Sequence, residues 1–535
     1  MELQFISALE KVFSEDSALP AAPAALTLFG GERGSVQLCV KSDRTEKISV
    51  TAECALPLKL FRVEEIPAGH TIAPGTKRCT LVKNGRPGLY PDLLRPFSGA
   101  LTVRKGKTSV VWILLDAADL PAGSYALTCT VAAETASQTL SLPVKIADTR
   151  LLPQTLLHTD WFHADCLASY YNVEAFGEAH WKIVERFMEN AANHGVNLLL
   201  TPLFTPPLDT AVGGERPTVQ LVEVTKKGRR YTFGFDRLFR WITLAGKHGV
   251  EYFEFSHFFT QWGAKHAPKI MAQTSKGEQR IFGWETDALS QGYRSFLMQL
   301  GAALKEFTDD MGITDRCFVH CSDEPGEKDL RQYEKVSAVI KAAFPAYRQL
   351  DALSDFDFYE RGLVETPVPG EGAVPAFAGK VPKLWTYYCC GQFEDELPNR
   401  FFAMPSVRNR ILGVLLYKYD CEGFLHWGYN FYYTQFSKRE VDPFTETDAG
   451  GAFPAGDSFA VYPGENGEPL TSLRQQVFYD GLQDLRALRT VEALTSRETV
   501  LKLIEDVLGD VDFSHYPMDP ARFFLFREKL AALVG

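Results

Sequence analysis

CFVHCSDEPG, residues 317–326, runs from an apolar segment straight into two adjacent carboxylates, Asp323 and Glu324, followed by Pro325. An apolar run of this kind suits a parallel strand covered on both faces, and proline cannot continue its ladder, so the chain is expected to leave the sheet just after the acid pair. Both carboxylates then open on one cleft. Adjacent acids are also common on solvated loops, so the pair gains meaning only from its surroundings.

Outward from this stretch, the sequence after Leu152-Pro153 alternates apolar strands with longer amphipathic helices, the grammar of a parallel sheet built from βα units. Eight strands are expected: LLHTDWF near 156, VNLLLTP near 196, VEYFEFSHF near 250, CFVHCSDE near 317, YRQLDALS near 347, KLWTYYC near 383, GFLHWGY near 423 and FAVYPG near 459. Helices such as EAHWKIVERFMENAANHG, RLFRWITLAGKHG and YRSFLMQLGAALKEFTDDMG separate them, each ending near a glycine that suits a C-cap. Eight such units point to a (β/α)8 TIM-type barrel, where chemistry sits at the C-terminal ends of the strands. Asp323 and Glu324 fall there, on the fourth strand. TVQLVEVTKKGRRYTFGF reads as an inserted hairpin turning at Lys227-Gly228, a candidate wall of the cleft, and the Pro- and Gly-rich VETPVPGEGAVPAFAGKVP reads as a loop.

Residues 24 to 147 carry a different rhythm. Short alternating segments such as SVQLCVKS, KISVTAEC and TLSLPVKIA, punctuated by turns, read as an antiparallel β-sandwich. The expected organisation is therefore multidomain α/β and β: a sandwich over 1–150, the barrel over 151–490 and a C-terminal helical extension packed on it over 491–535.

The 535-residue chain, with a net charge of -11, does not suit a nucleic acid backbone or an anionic membrane surface as partner. No stretch approaches eighteen consecutive apolar residues, and Glu2, Glu10 and Lys11 interrupt what would be a signal segment, so a cytoplasmic protein is expected. Ten cysteines without metal or disulfide-framework spacing read as reduced thiols. Cys389-Cys390 is the one odd pair, and neither it nor the nearby histidines completes a metal site.

The strand ends gather a consistent set of side chains. The first supplies Trp161, His163 and Asp165, the third His257 and Trp262, and the fourth the acid pair. Trp385 and Tyr387 end the sixth, Trp427, Tyr429 and Asn430 the seventh, and Tyr462 the eighth. Carboxylates, imidazoles and indoles around one cleft describe a carbohydrate site better than a phosphate site, which calls for glycine-rich loops and Lys or Arg. Taken singly, His163 and His257 also fit satisfied core histidines, Trp385 fits a packed core ring, and His320 fits a position inside the barrel below the site.

DEP at 323–325, LWTYYC at 384–389, GFLHWGYN at 423–430 and DSFAVYPGENGEPLTSLR at 457–474, in this order, resemble the catalytic domain of glycoside hydrolase family 123. The resemblance spans nearly the whole chain. It implies an N-terminal β-sandwich, a (β/α)8 barrel and a retaining exo-β-N-acetylgalactosaminidase that works by substrate assistance, an exception to the two-carboxylate spacing rule. On this reading Asp323 orients the 2-acetamido group and Glu324 is the general acid and base. Trp385 and Trp427 enclose the sugar, Tyr387 or Tyr429 binds the acetamide carbonyl, and Asp165, His163 and Asn430 are candidates for O4. The partner is a small oligosaccharide or glycan terminus, with no metal or organic cofactor. FYDGLQDL at 478–485 departs from the family's RDGxED pattern at Tyr479 and Gln483. Two other readings share the residues: a barrel that binds carbohydrate without cleaving it, and a hexosaminidase for another N-acetylated sugar such as GlcNAc.

Overall fold

A computed structural model describes residues 1–72, 78–118 and 120–535. Two five-stranded sheets form the N-terminal part. One runs Glu2–Ser7, Arg33–Lys41, Thr108–Asp116, Leu58–Ala68, Gly88–Pro96, and the other Leu26–Gly30, Ser137–Arg150, Gly123–Ala133, Glu46–Glu53, Ala100–Val103. All pairs are antiparallel except Leu26–Gly30 with Ser137–Arg150. The strand TSVVWILLD shows why the sequence reads as apolar on both faces. Val111, Ile113 and Leu115 enter the core between the two sheets, whereas Trp112 and Leu114 point the other way into the core of the catalytic part.

Eight parallel strands follow: Leu157–Asp160, Leu198–Thr201, Tyr252–Phe255, Cys317–Val319, Arg348–Ala352, Thr366–Val368, Leu384–Tyr387 and Cys421–His426. The second to sixth form one sheet, and the first, eighth and seventh form another. Both sheets feed one apolar core containing Leu157, Leu198, Phe318, Leu350, Val368, Trp385 and Leu425. Their edges meet through a few hydrogen bonds beyond the strand ends. The side chain of Asn197 accepts from the His158 amide at 2.8 Å, and the Tyr387 amide donates to Pro369 O at 3.0 Å. The strands expected to close a (β/α)8 barrel thus form two adjoining parallel sheets rather than one continuous ladder.

Two expectations change. Thr366–Val368, inside the segment read as a loop, is the sixth parallel strand, with Pro367 at its centre and Pro369 just after it, at the edge of its sheet where a proline is tolerated. The segment near 459 is not a parallel strand: Val461–Pro463 pairs antiparallel with Pro469–Thr471, and Tyr462 donates to Asp92 of the N-terminal sheet at 2.6 Å.

The helices at Glu178–Asn193, Asp236–Lys247 and Gln291–Asp310 end where expected, with Gly195, Gly249 and Gly312 at φ of 87°, 89° and 66° in the left-handed C-cap conformation. The inserted hairpin, Glu223–Lys227 with Arg230–Gly234, joins a second hairpin, Ile270–Thr274 with Gly277–Phe282, in a four-stranded sheet. It does not reach the cleft described below. The final helices, Leu473–Leu494, Arg497–Leu508 and Pro520–Ala532, pack on the parallel strands' outer helices and on the N-terminal sheets together. Gln483 exchanges two hydrogen bonds with the Arg33 backbone and Tyr479 stacks under its guanidinium, so both departures in FYDGLQDL serve this junction. Among the described residues no helix is long and apolar enough to cross a membrane.

Candidate active site

The fourth strand ends at Val319, and Asp323 and Glu324 follow at the mouth of the sheet. Glu324 sits at φ 45°, a left-handed conformation that costs a non-glycine residue about 1–3 kcal/mol. Its amide donates to Ala352 O of the neighbouring strand at 3.1 Å, which holds the turned backbone and directs both acids into the same cleft. The cleft has a cavity volume of about 160 Å³. Trp161, Trp262, Tyr387 and Trp427 line it with the acid pair, together with Asp209, Gln261, Gln435, Phe453 and the adjacent thiols Cys389 and Cys390.

Each acid is held from one side. Tyr387 Oη donates to Glu324 Oε1 at 2.9 Å. Gln261 Nε2 donates to Asp323 Oδ2 at 2.7 Å, and its own Oε1 accepts the Asp209 amide at 2.7 Å, so the amide is fixed at both ends. Burial, followed by the neighbouring Glu324 charge, pushes Asp323 well above the usual carboxylate range. Burial also raises Glu324, against the Tyr387 hydrogen bond. Two adjacent buried carboxyls cannot both ionise cheaply, so at neutral pH the pair tends to retain a proton. Asp209 is pushed up to about 6, chiefly by burial. Trp427 donates from Nε1 to the fully buried Asp457 at 2.9 Å, which sets the plane of its indole against the cleft.

Below the acids lies a dry charged layer. His320 Nε2 donates to Glu254 at 2.7 Å and its Nδ1 faces Asp351 at 3.6 Å. Burial opposes the charge on this imidazole, but the two carboxylates outweigh it and push His320 up to about 9. The resulting imidazolium favours the ionised form of Asp323. His257 stacks on His320 with centroids 4.3 Å apart and planes 20° apart, and Trp161 meets both rings edge-on. His257, His320 and Asp351 bring donor atoms within 4.8 Å of one another. A metal does not fit them well, because near-parallel rings aim their nitrogen lone pairs side by side rather than at a common point.

Several residues expected in the cleft lie elsewhere. His163, whose Nε2 donates to Trp427 O at 2.8 Å while Nδ1 accepts from Arg216, is buried and pushed down to about 4 by burial and by that guanidinium. Asp165 is a buried bidentate partner of Arg216 at 2.7 and 2.8 Å, and Asn430 clasps the His163 backbone at 2.7 and 3.1 Å. These three lock the loops after the first and eighth strands together and do not face the cleft. Tyr429 is spent on Phe187 O and Asn190 beneath the first helix. Trp385 is fully buried low in the sheet core, donating to Glu422 at 2.8 Å, and His257 lies beneath Trp161. Conversely, Asp209, Gln261 and Asp457 were not singled out from the sequence. Asp457 stands at the head of the DSFAVYPG run and Gln261 beside Trp262, but nothing local in either marks a partner some 30 or 60 residues away.

Residues 161–491 match the family described as glycoside hydrolase 123, catalytic domain. The structure superposes over 100% of the chain, and over 96% of the other, on a family 123 glycoside hydrolase from Clostridium perfringens examined for glycolipid glycan hydrolysis, with a TM-score of 0.74 at 14% identity. An FMN-binding beta-glucuronidase from Facaelibacterium prausnitzii L2-6 aligns over 87% of this chain and 60% of its own at 8% identity, but its TM-score of 0.32 is too low to carry an argument. No curated protein matches in sequence. With an acid pair in one cleft and a family match that covers more than half of its length, the chain belongs to the glycoside hydrolase 123 catalytic-domain family and is a glycoside hydrolase.

Proposed function

We propose that the protein is a retaining exo-β-N-acetylgalactosaminidase using the substrate's own 2-acetamido group, and that its eight parallel strands act as a (β/α)8 barrel presenting the acid pair. The acetamide oxygen attacks the anomeric carbon while Glu324 gives its proton to the leaving oxygen, forming an oxazolinium ion. Glu324 then takes a proton from water, which opens that ion with net retention. Asp323, ionised with the help of the His320 charge and the Gln261 donor against the burial that raises it, accepts from the acetamido N–H and offsets the positive charge that develops there. Tyr387 stands beside Glu324, within reach of the same acetamide.

The observation that carries this reading is the pairing itself. Adjacent acids at one strand end occupy one cleft, with a tyrosine on Glu324 and an amide on Asp323, while the further carboxylate lining the cleft, Asp209, accepts the Phe436 amide at 3.1 Å. Burial raises Glu324 in the direction a general acid needs. Trp262, 44% exposed at the rim, and Trp427 deeper in offer faces for a sugar ring.

Hydrolysis of 4-nitrophenyl β-GalNAc, β-GlcNAc and β-galactoside tests the proposal, with glycolipid-type glycans as the natural substrates to follow. Cleavage confined to the N-acetylated sugars supports acetamido participation, and cleavage of the plain galactoside overturns it. Glu324→Gln is expected to lower kcat by roughly 10²–10⁴ on poor leaving groups and far less on 4-nitrophenyl substrates. Asp323→Asn is expected to lower kcat on both, because the charge it supplies is needed whatever the leaving group.

A further inference from the structure

The proposed reaction leaves two cleft residues without a task. Cys389 and Cys390 both line the cleft, and the Cys389 sulfur lies 4.0 Å from Glu324 Oε1. The two thiols belong to consecutive residues and line the same cleft. Their segment is pinned: the Cys389 amide donates to Gln392 Oε1 at 2.8 Å, and Asn399 Nδ2 donates to Cys389 O at 2.9 Å and to Gln392 O at 2.7 Å. Both residues are half-buried, so a small molecule that enters the cleft meets them, whereas Cys39, Cys129, Cys166, Cys317, Cys321 and Cys421 are buried.

We propose that Cys389 and Cys390 form a dithiol site inside the catalytic cleft that captures small soft thiophiles, of which trivalent arsenicals are the representative class, and that its occupation closes the cleft. With phenylarsine oxide, two S–H bonds break and two As–S bonds form. The two protons leave with the arsenic's oxygen as one water, and arsenic stays trivalent throughout, so no oxidant or reductant is needed. The phenyl group then stands beside Glu324, in the space the sugar requires.

The site is selective in kind. The adjacent Cys390 side chain, burial and the nearby acids all hold the Cys389 thiol well above its ordinary range, so it presents little thiolate to a simple alkylating agent. A bidentate thiophile gains instead from the second sulfur, which is already in place at high effective concentration. Slow reaction with iodoacetamide alongside fast capture of an arsenical is the expected signature.

The experiment treats the full chain with one equivalent of phenylarsine oxide and reads intact mass, peptide mapping and glycosidase activity in parallel. One phenylarsenic adduct per chain is expected, mapped to residues 389–390, released by 2,3-dimercaptopropanol but not by the same thiol concentration of 2-mercaptoethanol, and accompanied by loss of activity. Cys389→Ser and Cys390→Ser should each raise the half-saturating concentration by about 10²-fold or more, since only one sulfur remains. An adduct that maps elsewhere, or that both variants retain, overturns the site. An adduct at 389–390 that leaves hydrolysis intact overturns the closing of the cleft. The mass readout needs no glycan, so it stands or falls separately from the proposed substrate.

Discussion

Gln261 is the residue on which the acid pair's division of labour turns. Its amide joins the Asp209 backbone to Asp323, and as a donor it favours the ionised carboxylate. Gln261→Ala is expected to lower kcat more than it raises KM and to move the acid limb of the pH–rate profile to higher pH, because an Asp323 that loses this donor holds its proton longer. A change confined to KM would assign Gln261 to substrate binding alone. The other limb belongs to Glu324: activity falls as pH rises through its raised pKa and the general acid is lost. The place of the acid pair at a strand end was legible in the sequence, since an apolar run ends there and proline follows, and the residues at the other strand ends gave it meaning. Gln261 and Asp209 were not, because a glutamine in a loop carries no signal until folding sets its partner beside it.

At the scale of elements, the strand ends were read more reliably than the directions of their side chains. Of the aromatic set, Trp161, Trp262, Tyr387 and Trp427 line the cleft, whereas Trp385, two residues before Tyr387 on the same strand, sits lower in the same core against Phe318 and Glu422. Alternation along a strand predicts that the two share a face, but depth along it decides which meets substrate. Close helix contact supplies a second check. A Cβ on Gly413, in the helix Leu412–Lys418, would lie 1.8 Å from Gly481 O of Leu473–Leu494. That atom is backbone and cannot swing aside, so Gly413→Ala should destabilise by about 1–3 kcal/mol or more, seen as a lower thermal midpoint with the cleft chemistry unchanged in the surviving folded protein.

The whole molecule is joined by buried ion pairs between its N-terminal sheets and the last helices. Arg474 binds Asp92 through two nitrogens at 2.8 and 3.1 Å, and Arg527 bridges Glu32 and Asp484. Arg474→Met leaves the Asp92 carboxylate buried and unpaired, a change of about 3–5 kcal/mol, and denaturant unfolding should show it together with easier proteolysis of the N-terminal sheets. Asp480, in the same junction, is pushed up to about 7 by burial. Its folded value lies above the unfolded one, so its favourable protonated state is fully present at low pH and lost as pH rises through about 7. Asp480→Asn should therefore stabilise the protein at pH 8 by a few kcal/mol at most and make no difference near pH 4, which thermal melts at the two pH values would show.

The sequence by itself determined the order of sheets and helices, the helix ends at Gly195, Gly249 and Gly312, and the place of Asp323 and Glu324, because periodicity, capping and chain breaking act between near neighbours. Only the tertiary structure decided that a triplet at 366–368 centred on Pro367 completes the parallel strands, and that His163, Asp165 and Asn430 clamp loops together with Arg216. It likewise decided that Cys389 and Cys390 face the acid pair. Each of these rests on contacts between segments far apart in the chain, and a buried polar side chain has the same sequence signature whether its partner is a neighbouring loop or a substrate.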